Sequence, residues 1–249
     1  MMKRFADVSV AAALLLGAAG CAVLPGVGTD AGEMARSAAK AFDTRPVPAT
    51  LAPAPRPNYA RGDTFIYGAT TVRSVRTANA KGVEWSTQHN EVQRGSRDFF
   101  APFHLYETPV ARIDSEISGD PGKLWPLQVG NKVSFEESRR VTWKKTGHSK
   151  TQTLRWECEV VDMRMSYVPA GDFPSYHLAC RSYYPGFFLP VNIITWDYAP
   201  SIGHYVQRSW MDGRRPRTMA LSAALPGKAA TPARIAAVLE RLAEEARPD

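Results

Sequence analysis

Between Lys132 and Lys144 one parity is wholly polar and the other is apolar at both ends. Val133, Phe135, Glu137, Arg139, Val141 and Trp143 fall on one parity, and Lys132, Ser134, Glu136, Ser138, Arg140, Thr142 and Lys144 on the other. A period of two sustained this long is a strand with one face toward a core and one toward water. KKTGHSK (144–150) is a turn, and beyond it Leu154, Trp156, Cys158 and Val160 carry the apolar side. The apolar parity then changes to Val161, Met163 and Met165, which predicts a β-bulge near Val160. YVPAGDF (167–173) is the next turn, after which Tyr176, Leu178 and Cys180 share a face. VNIITWDY (191–198) and GHYVQRSW (203–210) read as two further strands. Met211-Asp212-Gly213 turns into a last one that ends near Leu221.

Upstream, Thr64–Thr77, Gly82–Arg94 and Phe99–Ile117 are rich in β-branched and aromatic residues and read as three long strands. SGDPGKLWPLQVGN (118–131) is a loop by its turn residues. TPARIAAVLERLAEEA (231–246) has helical spacing instead: Ile235, Val238, Leu239 and Leu242 make one stripe, Thr231 is the N-cap and Pro232 occupies the first helical position. The predicted fold is mainly β (α+β), a single curved antiparallel sheet or half-open barrel with one C-terminal amphipathic helix, spanning residues 59–246. Residues 21–58 read as a tether, with a short helix at 32–42 followed by the proline- and alanine-rich spacer TRPVPATLAPAPRPN (44–58).

The first residues carry an address. Lys3 and Arg4 precede the apolar Val8–Leu16 and the small Gly17–Gly20, the layout of an export signal too short for the roughly 20 residues of a membrane span. Ala18-Ala19-Gly20-Cys21 resembles the bacterial lipoprotein box, with Ala18 where leucine is usual. The resemblance implies removal of residues 1–20, lipidation of Cys21 by palmitate-like acyl chains and membrane anchoring. Ala22 stands where lipoproteins retained in the inner membrane tend to have aspartate, so the expected site is the periplasmic face of the outer membrane. VPAGDF and TWDYAPSIGHYVQR resemble β-rich periplasmic proteins of proteobacteria that share a Val-Pro-Ala-Gly-x-Phe turn, over residues 125–210. That resemblance implies a fold and brings no catalytic residue with it.

Charge and chemistry add candidates. The chain of 249 residues has a net charge of +7, and loss of Lys3, Arg4 and Asp7 with the signal lowers it by one. In an exported protein this favours anionic envelope groups over nucleic acid. Lys144, Lys145 and Lys150 at the hairpin tip, and Arg214, Arg215 and Arg217 with Arg208 beside them, are the candidate anionic contacts; solvated turns explain the same residues. With Cys21 acylated, Cys158 and Cys180 remain, both on apolar strand faces, which permits a disulfide or two buried thiols. Phe100, Phe103, Trp125, Tyr184, Phe187, Phe188 and Trp196 are the candidate ligand or docking aromatics, or else plugs for the open ends of a curved sheet. A ligand cavity would be lined by Trp125, Phe187 and Trp196.

Asp197, Ser201 and His204 bring a hydrolytic triad to mind, but Ser201 lacks a Gly-x-Ser-x-Gly elbow. The five histidines are scattered without ligand spacing, so neither a metal nor a cofactor is expected. The expected role is a non-catalytic interaction or assembly module on the membrane, meeting an envelope protein partner. A carrier of a hydrophobic ligand or lipid is the alternative, and an envelope hydrolase ranks behind both.

Overall fold

The structure, a computed structural model, describes residues 48–249 except Asn90, Gly213, Arg214, Pro248 and Asp249. The export signal, Cys21, the short helix at 32–42 and Arg214 therefore lie outside the described residues.

Among the described residues the chain is a meander of twelve strands, each antiparallel to the next. It begins with β1 (Thr64–Tyr67), β2 (Thr71–Asn79), β3 (Gly82–Thr87) and β4 (Val92–Gly95). β5 (Leu105–Glu107), β6 (Ala111–Ser118), β7 (Lys132–Trp143) and β8 (Ser149–Val168) follow. β9 (Gly171–Tyr183), β10 (Asn192–Ala199), β11 (His204–Asp212) and β12 (Arg215–Leu225) complete it. β12 then pairs with β1, Thr64 opposite Leu225, so the curved sheet goes on to full closure as a barrel. Closure gives each of the twelve strands a partner on both sides.

The mainly β architecture and the hairpin of β7 and β8 follow the alternation. The bulge falls where the parity changes, between Val160 and Asp162. Upstream, each of the three long strands is instead a pair. The turns after Tyr67, Thr87 and Glu107 divide them, with Gly68 at φ +56° in the first. Phe99–Phe103 is no strand at all: it belongs to the β4–β5 connection, which folds inward and buries Phe100. Gly82 permits the tight β2–β3 turn, because it sits at φ +143° and a Cβ there would lie 2.1 Å from the Gly95 carbonyl oxygen.

Of the expected tether, 21–58, only residues 48–58 are described. Residues 48–58 pack onto the barrel, with Ala54 and Leu127 exchanging backbone hydrogen bonds of 3.2 and 2.8 Å. Tyr176 donates to the Ala52 carbonyl at 2.8 Å and Arg56 pairs with buried Asp98 at 2.5 Å. The prolines of this stretch lack the N–H that a ladder needs, so it pairs through isolated bridges at Pro48 and Ala54 rather than as a strand.

Helix α1 (Pro232–Glu245) starts on Thr231, whose hydroxyl accepts from Arg234 N at 3.2 Å. Its buried Val238 and Leu242 pack on Ile66 of β1 and Val72 of β2, joined by Ala223 and Leu225 of β12. The helix thus lies on the outside of the barrel, over the place where it closes. Elsewhere the outer wall is charged, for example Lys132, Glu136 and Arg140 on β7 and Arg155, Glu157 and Glu159 on β8. A membrane-spanning barrel needs an apolar band there. On these two strands the outward positions carry charge instead.

The meander fixes two ends. The chain enters β1 and leaves β12 at a proximal end, which also holds the β4–β5, β6–β7 and β10–β11 connections. The β7–β8, β9–β10 and β11–β12 connections lie at the distal end.

Candidate functional site

Inward-facing positions of neighbouring strands stack into a core at the proximal end. Tyr59, Phe65, Trp85 and His204 interlock there, with His204 stacked on Trp85 and its Nδ1 2.7 Å from the Tyr59 hydroxyl. Burial, reinforced by Arg73, holds the His204 imidazole well below its ordinary value. Burial likewise raises the Tyr198 phenol, to about 12.

Toward the distal end the interior is not filled. A cavity of about 390 Å³ remains, within the range of about 300–1,000 Å³ typical of small-molecule sites. Phe99, Phe100 and Phe103 of the inward-folded loop form one side of it, and Trp156, Ile194 and Trp196 line the wall. Four charged side chains join them: Arg73, Glu137, Arg139 and Arg208.

These charges are not equivalent. Glu137 is fully satisfied: Arg139 donates twice to it at 2.8 Å, Ser115 at 2.8 Å and the Trp156 indole at 2.9 Å. The alternation of β7 had already put Glu137 and Arg139 on one face, and the two close an ion pair inside the barrel. Arg73 donates to the Tyr205 hydroxyl at 2.5 Å and to Gln93, and its guanidinium lies over Trp85 and Phe103. Its Nε is buried with no partner. Arg208 has no hydrogen-bond or ion-pair partner among the described residues, and its Nε too is buried and unpaired. Its guanidinium rests 5.8 Å from the centre of the Trp196 ring and 5.1 Å from that of Trp210. Burial lowers the Arg208 guanidinium from its ordinary value; Tyr205 opposes the shift and Arg73 adds to it.

The candidate aromatics divide three ways. Phe100, Phe103 and Trp196 line the cavity. Trp125 does not: it packs at the proximal side against Phe99 and Phe100, its indole donating to Asp98 at 2.8 Å. Phe187 does not either, and points outward with Tyr184 and Phe188 on the distal β9–β10 loop, where Phe188 is 93% exposed. A proline and a glycine in that loop break the strand, so its aromatics have no sheet face to bury.

Among the basic candidates, Lys144 is held by Glu107 at 2.7 Å and Arg217 by Asp212 at 3.4 Å, both at the surface. Lys145, Lys150 and Arg215 are exposed near the same distal end. Arg208 parts from this group, because it shares the inward parity of Trp210 on β11. That parity was the available signal for it. A disulfide joins Cys158 and Cys180, directly opposite one another on β8 and β9.

Asp197, Ser201 and His204 do not converge. Asp197 bonds His177 at 2.6 Å and Ser166 at 3.1 Å, His204 bonds Tyr59 in the core, and Ser201 is exposed in the β10–β11 turn. A triad needs the three side chains in one chain of hydrogen bonds.

No family model matches the sequence, and no curated protein matches it. Solved structures similar to the chain include two that are described by name. One is the hypothetical lipoprotein YmcC from Escherichia coli K12, 13% identical over 63% of this chain and 78% of that one, with a TM-score of 0.42. The other is an exported protein with a YmcC-like fold from Bacteroides fragilis NCTC 9343, 13% identical over 69% of this chain and 99% of that one, with a TM-score of 0.40. Likeness at this distance carries no residue and no role across.

Proposed function

We propose that the barrel is a non-catalytic binding module of the cell envelope that holds a small, largely apolar molecule in its interior. One observation carries this reading: the distal half of the barrel keeps a cavity of about 390 Å³, walled by Phe100, Phe103, Trp156 and Trp196. Cores of this size are normally packed to crystal-like density, so an unfilled aromatic interior is a site for something else. Residues 1–21 supply the envelope placement, with the acylated Cys21 as anchor on the periplasmic face of the outer membrane. The test is a fluorescence titration of the full-length chain with 1-aminoanthracene, a neutral apolar probe. Saturable binding at one site per chain is expected, lost in Ile194→Trp, which fills the cavity from β10. A linear, unsaturable response would sink the reading.

A second reading rests on the distal surface. Phe187 and Leu189 are 64% and 80% exposed beside Phe188, at the same end as Lys145, Lys150 and Arg215. An apolar tip among cations suits docking on an envelope partner, which is the interaction module expected from the sequence.

A further inference from the structure

Resting on the cavity reading, we infer that the ligand is an anionic amphiphile whose oxyanion, a carboxylate or a phosphate, sits between Arg73 and Arg208 while its apolar body lies among the aromatics. The argument begins with charge. Of the four charged groups facing the cavity, Glu137 and Arg139 neutralise one another. Two cations are left, and no carboxylate among the described residues pairs with either.

A buried guanidinium without an anion is costly, and proteins rarely keep one unless a partner arrives. Cation–π contact with Trp196 and Trp210 offsets part of that cost for Arg208, yet ring faces leave its N–H donors unused. Arg73 is held in place by Tyr205 and Gln93, so its direction is fixed before any ligand binds. Both side chains retain a buried Nε with no acceptor. Planar forks of this kind match the paired oxygens of a carboxylate or phosphate.

The apolar half of the ligand follows from the remainder of the wall. Phe100, Phe103, Trp156, Ile194 and Trp196 offer no charge and accept a hydrocarbon or ring.

The test compares three eight-carbon probes by calorimetry on the full-length chain: octanoate, octyl phosphate and neutral 1-octanol. At least one anion is expected to bind ten-fold or more tighter than octanol, at one site per chain. A lead for octyl phosphate assigns a phosphate head, and a lead for octanoate a carboxylate. In Arg208→Met, which keeps the apolar stem over Trp196, the ratio of anion to octanol affinity is expected to fall toward one. The wild-type ratio carries the test should that variant fail to fold. Equal affinities for all three probes overturn the anion inference and leave the apolar cavity reading standing. Absence of binding by all three overturns the cavity reading and the inference with it.

Discussion

His204 shows how much a single buried side chain sets. Its ring is packed between Phe65, Trp85 and Tyr59, and burial holds it neutral. The unfolded chain carries an ordinary imidazole, with a value near 6.5, so below that pH the unfolded state binds a proton that the folded state refuses. Stability is therefore whole above about pH 6.5 and falls as the pH drops toward the depressed folded value, by up to about 1.4 kcal/mol per unit. Urea unfolding between pH 7 and 5 is expected to show that slope in the wild type and a flatter profile in His204→Phe. An unchanged slope in the variant would place the titration elsewhere. Residue identity alone hid both this histidine and Arg208. Each stands in GHYVQRSW, a strand whose mixed residues do not announce a face, and only the parity shared with Trp210 marks Arg208 as inward. Glu137 and Arg139 were legible because four apolar neighbours on their strand, Val133, Phe135, Val141 and Trp143, fix the parity around them.

Among the elements, β8 and β9 are the best determined. Their pairing runs from Arg155 opposite Tyr183 to Val168 opposite Gly171, and the Cys158–Cys180 disulfide crosslinks it. The bridge closes a loop with a sequence separation of 22, which constrains the unfolded chain by about 3 kcal/mol. The double variant Cys158→Ala, Cys180→Ala is expected to lose about that much in urea unfolding. Long alternating strands announced themselves; short ones did not. β4 and β5 have four and three residues, too few for a period to stand out, and Phe99–Phe103 imitates a strand by aromatic content alone. Its Pro102 and the absence of polar alternation were the contrary signs. The proline-rich stretch before Tyr59 misled in the other direction, since composition describes a spacer but not the carbonyls by which Tyr176 and Tyr198 hold it.

At the scale of the whole molecule, one pairing differs from all the others. Every strand neighbour is consecutive in sequence except β1 with β12, which joins Thr64 to Leu225. A curved sheet was readable from the strand count and the turns. Its closure was not, because nothing local specifies contact between residues so far apart. The same distance makes this seam the expensive one in chain entropy, and α1 lies across it, on Ile66, Val72, Ala223 and Leu225. Deleting residues 228–249 is expected to strip hydrogen-exchange protection from β1 and β12 while β7–β9 keep theirs; uniform loss across the barrel would show that the helix supports the whole core instead. The seam also has a meaning in time. The consecutive hairpins are expected to form first, and α1 to dock on the seam only once β1 and β12 have met. Interactions made that late act on escape from the native state and hardly on arrival at it. The C-terminal helix is then a brake: without it the barrel should fold nearly as fast and come apart much sooner.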